Sequence, residues 1–257
     1  MNGDEPAGAP PTLRERRWAA AVREILAAAE SQIAETGPAA LSLRAVARSL
    51  GMTVQALYHY FPSRDELVTA LITKAYEDLA DAVQHAVDTA PEEPGHSEGS
   101  EDSDVPRMVI AAESYRQWAV DHPERFQLIY GAPLRHYSAP TEGSSTRAVR
   151  RMSGIFKNEL FRGFTSEQLA AADTPALSPA LRRHLEKFLS PDALGGMPSP
   201  AVPILISAWG QMHGLVVLEV FGHTSFVGPH QAEMFHLSMR TMLQDVRRRI
   251  PAGEQAK

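Results

Sequence analysis

Apolar side chains along this chain recur every three or four positions, the spacing of a helix with one buried stripe. Trp18, Val22, Ile25, Ala29 and Ile33 predict a helix over Leu13 to Thr36, which Gly37-Pro38 ends. Leu43, Val46, Ala47 and Leu50 predict a short second helix behind a Ser42 cap, stopped by Gly51. Thr53 caps a third, with Leu57 and Phe61 inward. Ser63 and Glu66 match a capping box that opens a long helix to about Val87. Further helices are expected at Val105 to Val120, Pro123 to Tyr130 and Arg147 to Phe164. A short one is expected at Pro179 to Leu189, and two more at Pro200 to Gly222 and Pro229 to Ile250. The inner faces read Met108, Val109, Ala112, Tyr115 and Ala119; then Val149, Met152, Ile155 or Phe156, and Leu160; then Phe235, Met239, Met242, Leu243 and Val246. Neither strand alternation nor an internal repeat is visible, so the fold class is all-α.

The second and third predicted helices are joined by a tight turn at Gly51. Ala47, Gly51 and Leu57 stand where a helix-turn-helix needs a small residue, a turn glycine and a core residue. Such a hairpin presents its second helix to a DNA major groove, with Gln55, Ala56 and His59 groove-side. Gln pairs with adenine through two hydrogen bonds, and an Ala methyl suits the thymine methyl. Arg44, Arg48 and Arg64 lie here, and no acidic residue falls between Glu35 and Asp65. The result is a local positive field on a chain whose net charge is −6. A buried helical hairpin of some other protein is the plain alternative; the caps, the glycine and the field together argue against it. Arg14, Arg16 and Arg17 at the start of the first helix suit either phosphate contact or a solvated helix end.

Composition sharpens this picture at a few points. The 257 residues allow one or two domains, and 44% hydrophobic residues is ordinary for a soluble globular chain. The chain has no cysteine, which excludes disulfides, zinc–cysteine sites and thiol nucleophiles and fits the cytoplasm. Residues 1–11 read as a disordered Gly/Pro/Ala-rich tail without a signal-peptide core. The most apolar stretch, Ile204 to Phe221, contains Gln211, His213 and Glu219, so a buried helix of a soluble protein is expected there rather than a membrane span. Pro91 to Asp104 has six carboxylates and no large apolar anchor, and reads as a disordered acidic linker.

Residues Leu13 to Ala75 resemble the DNA-binding domain of the TetR family of bacterial regulators. The resemblance rests on Leu41-Ser-Leu-Arg-Ala-Val-Ala, on Gly51-Met-Thr-Val-Gln-Ala-Leu-Tyr-His-Tyr-Phe and on Ser63-Arg-Asp-Glu-Leu67. It implies DNA contacts from Arg44, Val54, Gln55, Tyr58, His59, Tyr60 and Arg64, beside the capping Thr53. Arg64 stands where the family often has Lys and Tyr60 where it often has His, and both remain able to meet a phosphate. The implied arrangement is a DNA-binding domain over 12–75 and a ligand-sensing and dimerisation domain over 76–250. Together they would form a homodimeric repressor that a small molecule releases from a palindromic operator.

Two features of the C-terminal part add detail. Gly210 and Gly214, one turn apart, suit a close helix–helix approach or a bend, and with Phe235, Met239, Met242 and Val246 of the last helix they are the expected contact of a homodimer. Trp209-x-x-x-His213-Gly214, with Gly131-Ala132-Pro133, resembles a Trp-His-Gly subgroup of TetR-like regulators. Tyr115, Trp118, Phe126, Tyr130, Phe156, Trp209 and His213 are the expected lining of a pocket for a small, largely hydrophobic effector. An enzyme is one alternative, and the histidines invite it. However, they form no zinc-like i, i+4 pair, and neither a phosphate-binding glycine loop nor a nucleophile elbow occurs. No catalytic residue, cofactor or metal site is therefore assigned. A helical interaction module without DNA binding is the other alternative, which a salt-dependent gel shift separates.

The acidic segment generates a direct test. Replacing Pro91 to Asp104 by a short Gly/Ser bridge is expected to leave the melting temperature nearly unchanged. Thermal unfolding followed by circular dichroism checks it, and a drop of several degrees would show that the segment packs.

Overall fold

The computed structural model describes residues 12–91, 105–131, 137, 143–188 and 196–251. The expected N-terminal tail, acidic residues 92–104, Ala132, Pro133 and Gly195 lie outside them. The described residues are helical, with no strand among them. The helices are α1 (Leu13–Thr36), α2 (Leu43–Ser49), α3 (Val54–Tyr60), α4 (Arg64–Thr89), α5 (Arg107–Asp121) and α6 (Pro123–Tyr130). They continue as α7 (Ser144–Leu160), α8 (Ser166–Ala170), α9 (Pro179–Phe188), α10 (Ala201–Val220) and α11 (Gln231–Arg249). Helix α8 and a 3₁₀ turn over Ser225–His230 have no counterpart in the sequence reading. The chain divides into two compact units. One runs through Lys74 and takes in Glu124–Pro140; the other holds Ala75–Pro123 and Thr141 onward.

In the first unit, α1 opens on a reciprocal cap. The Thr12 hydroxyl accepts from the Glu15 N–H at 3.3 Å, and the Glu15 carboxylate accepts from the Thr12 N–H at 2.7 Å. The core gathers Ile25, Ala29 and Ile33 of α1, Val46 and Ala47 of α2, Leu57 of α3 and Leu67, Val68 and Leu71 of α4. Leu128 of α6 joins the same core, so a segment assigned from sequence to the sensor part belongs to this unit. Its Arg125 reaches Glu30 at 3.2 Å, where Lys74 also closes at 3.1 Å. Trp18 departs from expectation: it is 43% exposed and does not continue the buried stripe of α1. Ser42 occupies the cap position of α2, but its side chain makes no cap bond.

The second unit is built around α5, which packs against α7, α10 and α11. Met108, Val109, Ala111, Ala112, Tyr115, Trp118 and Ala119 of α5 are all buried. Met152, Ile155, Phe156 and Leu160 face inward from α7, whereas Val149, expected there, is 38% exposed. Arg116 and Glu219 join α5 to α10 through a two-pronged ion pair with little exposure, and the Arg116 guanidinium lies 6.0 Å from the Phe235 ring of α11. Helix α10 has 20 residues, long and apolar enough by length and composition to cross a membrane. In the fold its Ala201, Val202, Ile204, Ala208, Met212 and Val216 are buried, and its Glu219 is paired. One face of α10 is thus packed into this unit, while Ile206 and Leu218 on it remain exposed.

Candidate functional site

The turn between α2 and α3 is set by backbone chemistry. Gly51 lies at φ +64°, a left-handed conformation that a Cβ would strain. The Gly51 N–H donates to the Arg48 carbonyl at 3.1 Å, and the Met52 N–H donates to the Ala47 carbonyl at 2.9 Å. Together these bonds close the last turn of α2 in the Schellman pattern. The Thr53 hydroxyl then accepts from the Ala56 N–H at 3.1 Å and starts α3. Leu57 is fully buried beneath, so α3 has a fixed outer face.

On that face Gln55, Tyr58 and His59 are exposed, with Thr53 exposed at its start. Arg44 and Arg48, four apart on α2, are exposed as well. Val54 is half-buried and packs against the core. Two residues sit differently from the sequence expectation. Tyr60 is half-buried, its ring lying 4.4 Å from that of Trp18, centroid to centroid. Arg64 is half-buried too, and its Nε donates to the Leu41 carbonyl at 3.1 Å. Trp18 also meets His59 edge-on, with centroids 5.5 Å apart. The sequence reading missed this contact. Its only signal was the run of adjacent rings His59-Tyr60, which a stripe built on Leu57 and Phe61 leaves without a partner. Trp18 thereby holds the first turns of α1, with Arg14 one turn earlier, beside the end of α3.

In the second unit, an apolar cavity of about 230 Å³ lies among α5, α7 and α10. Met108, Phe156, Leu160, Val202, Leu205, Ala208, Trp209 and Met212 line it, with Ser153 and Ile206 at exposed positions. Of the seven aromatic and histidine residues singled out from sequence, Phe156 and Trp209 border this space. Tyr115 and His213 form the layer next to them. The Tyr115 hydroxyl and His213 Nδ1 are hydrogen-bonded at 2.8 Å, and the His213 ring stacks on Trp209 with 6° between planes. Tyr115 meets both Phe156 and Trp209 edge-on, at 5.6 and 5.7 Å. Trp118 pairs instead with His122, and Phe126 pairs with Tyr130 on α6; none of these borders the cavity. The aliphatic and methionine lining escaped the sequence reading because such residues at helical spacing look the same whether they face a neighbour or a void. Among the described residues, no group of three His, Asp or Glu side chains gathers where a metal ion could sit.

Burial holds the His213 imidazole below its ordinary value of 6.5, because the charged ring loses hydration. The unfolded chain therefore takes up a proton near pH 6.5 that the folded chain resists. Stability should fall as the pH drops below that value, and level off once the folded imidazole is protonated. His213→Gln is expected to flatten this part of the profile. Urea unfolding at steps from pH 7.5 to 5 checks it, and an equal slope in parent and variant would assign the pH dependence elsewhere.

Comparison with known proteins agrees with this geometry. Residues 25–71 match the family described as bacterial regulatory proteins, tetR family. Residues 108–242 match the tetracyclin repressor-like C-terminal domain. The HTH-type transcriptional regulator Rv1816 of Mycobacterium tuberculosis is 36% identical over 194 residues, 74% of this chain and 76% of its own. A regulator of Mycobacterium bovis, Mb1846, matches to the same extent. Among solved structures, SCO4313, a protein described as regulatory, is 30% identical with a TM-score of 0.70, covering 91% of this chain and all of its own. A protein of unknown function from Rhodococcus sp. RHA1 shares the fold, with a TM-score of 0.61 at 20% identity over 87% of this chain and 94% of its own. The chain belongs to the TetR family of bacterial transcriptional regulators, and its work is DNA-binding regulation rather than catalysis.

Proposed function

We propose that this regulator is a cytoplasmic homodimeric repressor, released from a palindromic operator by a small molecule. The observation that carries the DNA half is the outer face of α3. Gln55, Tyr58 and His59 are exposed on a helix whose opposite side is locked by Leu57 and whose flank carries Arg44 and Arg48. Gln55 and His59 are assigned to base edges, and Arg44, Thr53 and Tyr58 to the backbone beside them. Val54 and Tyr60 support the face through packing. Arg64 joins the phosphate set while its Nε ties α4 to Leu41. Residues 12–75 form the DNA-binding part of this scheme, and residues 76–250 the sensing and dimerising part.

The dimer half rests on α10 and α11. Ile206, Met234 and Leu237 are 63%, 51% and 52% exposed, and Leu218 is exposed as well. A Cβ placed on Gly210 or Gly214 meets nothing within 4 Å, so close packing inside the chain does not require either glycine. An open apolar face bearing two glycines suits a second copy that approaches closely. Phe235, Met239, Met242 and Val246, which sequence spacing also offered to such a contact, face the chain's own core. Two recognition helices in a dimer would enter successive major grooves roughly 34 Å apart. A molecule that binds one arrangement more tightly than the other shifts the population, and α4, which contributes residues to both units, carries that shift. Selecting bound sequences from random DNA tests the reading, followed by a screen for compounds that release them; a chain that retains no duplex would refute it.

Two substitutions separate the roles on DNA. Gln55→Ala should lose roughly 1–3 kcal/mol at one base position and little elsewhere. Arg44→Ala should weaken every sequence alike and reduce the salt slope by about one unit. Gel shifts on a single-base-substituted operator series, run at several salt concentrations, measure both. Parent-like behaviour in both variants would remove the α3 face from the interface.

Self-association has its own measurement. Gly214→Leu should overfill the close approach, and Leu237→Glu should place a charge in it. Both should shift the protein towards monomer in sedimentation velocity and lower operator affinity at least tenfold. A parent that sediments as a monomer at micromolar concentration would end the dimer assignment.

A further inference from the structure

We propose that the cavity among α5, α7 and α10 binds an uncharged, largely apolar molecule of about the bulk of two fused rings, its one polar group held at the Ser153 rim. The inference rests on the ligand-responsive reading above and identifies the class of molecule and where it sits. Three observations carry it. The first is chemical: the side chains around the 230 Å³ space are Met, Phe, Leu, Val, Ile, Ala and Trp, with Ser153 the one hydroxyl and no charged group. A carboxylate or ammonium entering it would lose its hydration and meet no counter-charge.

The second is size. A dry cavity of about 150 Å³ holds a benzene ring. A space of about 230 Å³ is half as large again, which admits a bicyclic skeleton but not a large macrocycle. Two methionines in the wall, Met108 and Met212, lend shape tolerance through their flexible thioethers.

The third is polarity along the cavity. Ala208 and Met212 are deeply buried and make an apolar floor, while Ser153 and Ile206 are exposed and make the rim. A bound molecule is therefore oriented with its apolar body inward and its polar group towards Ser153. Neighbouring charges do not change this. Met108 and Leu160 also border a small niche where Arg107 and Arg162 both close on Glu159, at 3.4 and 2.9 Å. Arg107 and Arg162 thus already have a carboxylate partner, and Arg247, which also borders the niche, does not line the cavity. The Trp209 wall gives occupancy a route into the fold, since its ring stacks on His213, which is bonded to Tyr115 of α5.

The test uses the full chain, with 2-naphthol as a neutral probe and 2-naphthoate as its charged counterpart of similar shape. Calorimetry at pH 7 should show 2-naphthol binding at least tenfold more tightly than 2-naphthoate. Ala208→Phe and Leu205→Trp fill the space from the floor and the side. Each should cost at least tenfold in 2-naphthol affinity, while operator binding reports that the variant is folded. Ser153→Ala should weaken 2-naphthol a few-fold and leave naphthalene unchanged. Equal affinity for the two probes, or parent-like binding by both filled variants, would overturn the proposal. Measuring operator release in parallel keeps the two readings apart. If 2-naphthol binds in the cavity and none of the compounds bound there releases DNA, the ligand-responsive reading fails and the cavity assignment stands. If a charged compound releases DNA from the parent and from both filled variants alike, the cavity assignment fails and the ligand-responsive reading stands.

Discussion

The close approach of α2 and α3 is the constraint on which the proposed DNA face depends. Two short helices of seven residues each have little intrinsic stability, so their angle must come from tertiary packing. Ala47 is small enough to let α3 in, and Leu57 fills the space between them. Gly51 reverses the chain in a conformation that costs other residues strain. With that angle set, the outward side of α3 is determined, and Gln55, Tyr58 and His59 are exposed on it. The packing that stabilises the hairpin and the geometry that sets the exposed face of α3 are therefore the same set of contacts.

Trp18 extends this logic to α1. Its ring sits against Tyr60 and His59, so a helix that lends Ile25, Ala29 and Ile33 to the first core also braces the end of α3. A half-exposed indole in that place serves orientation more than burial. Arg64 works similarly: its bond to the Leu41 carbonyl fastens the start of α4 to the segment before α2. Residues that resemble phosphate contacts in sequence can thus be structural braces at the same time.

The second unit answers a different physical problem. Helix α5 is buried by α7, α10 and α11, and its fully buried Tyr115 hydroxyl must find a partner or lose stability. His213 supplies that partner and is held below its ordinary pKa by the same burial. The ring cluster of Tyr115, Phe156, Trp209 and His213 fills the space on one side. On the other side, aliphatic and methionine side chains leave a void large enough for a ligand.

Much of this was legible in the chain itself, because it depends on local chemistry. The span of α1, the glycine turn, the Thr53 cap and the all-helical class follow from spacing and from residues with few conformational options. The burial of Met239 and Val246 likewise follows from the stripe they share. Tertiary structure decided everything that depends on which distant side chain fills which space. It turned Trp18 and Tyr60 towards each other, took Leu128 of α6 into the first core, and left Val149 partly in solvent. It also placed an aliphatic cavity beside an aromatic cluster that, from sequence, looked like the pocket itself. Periodicity reports that a residue faces inward, but it carries no information about what stands opposite, and a void is defined only by its opposite walls.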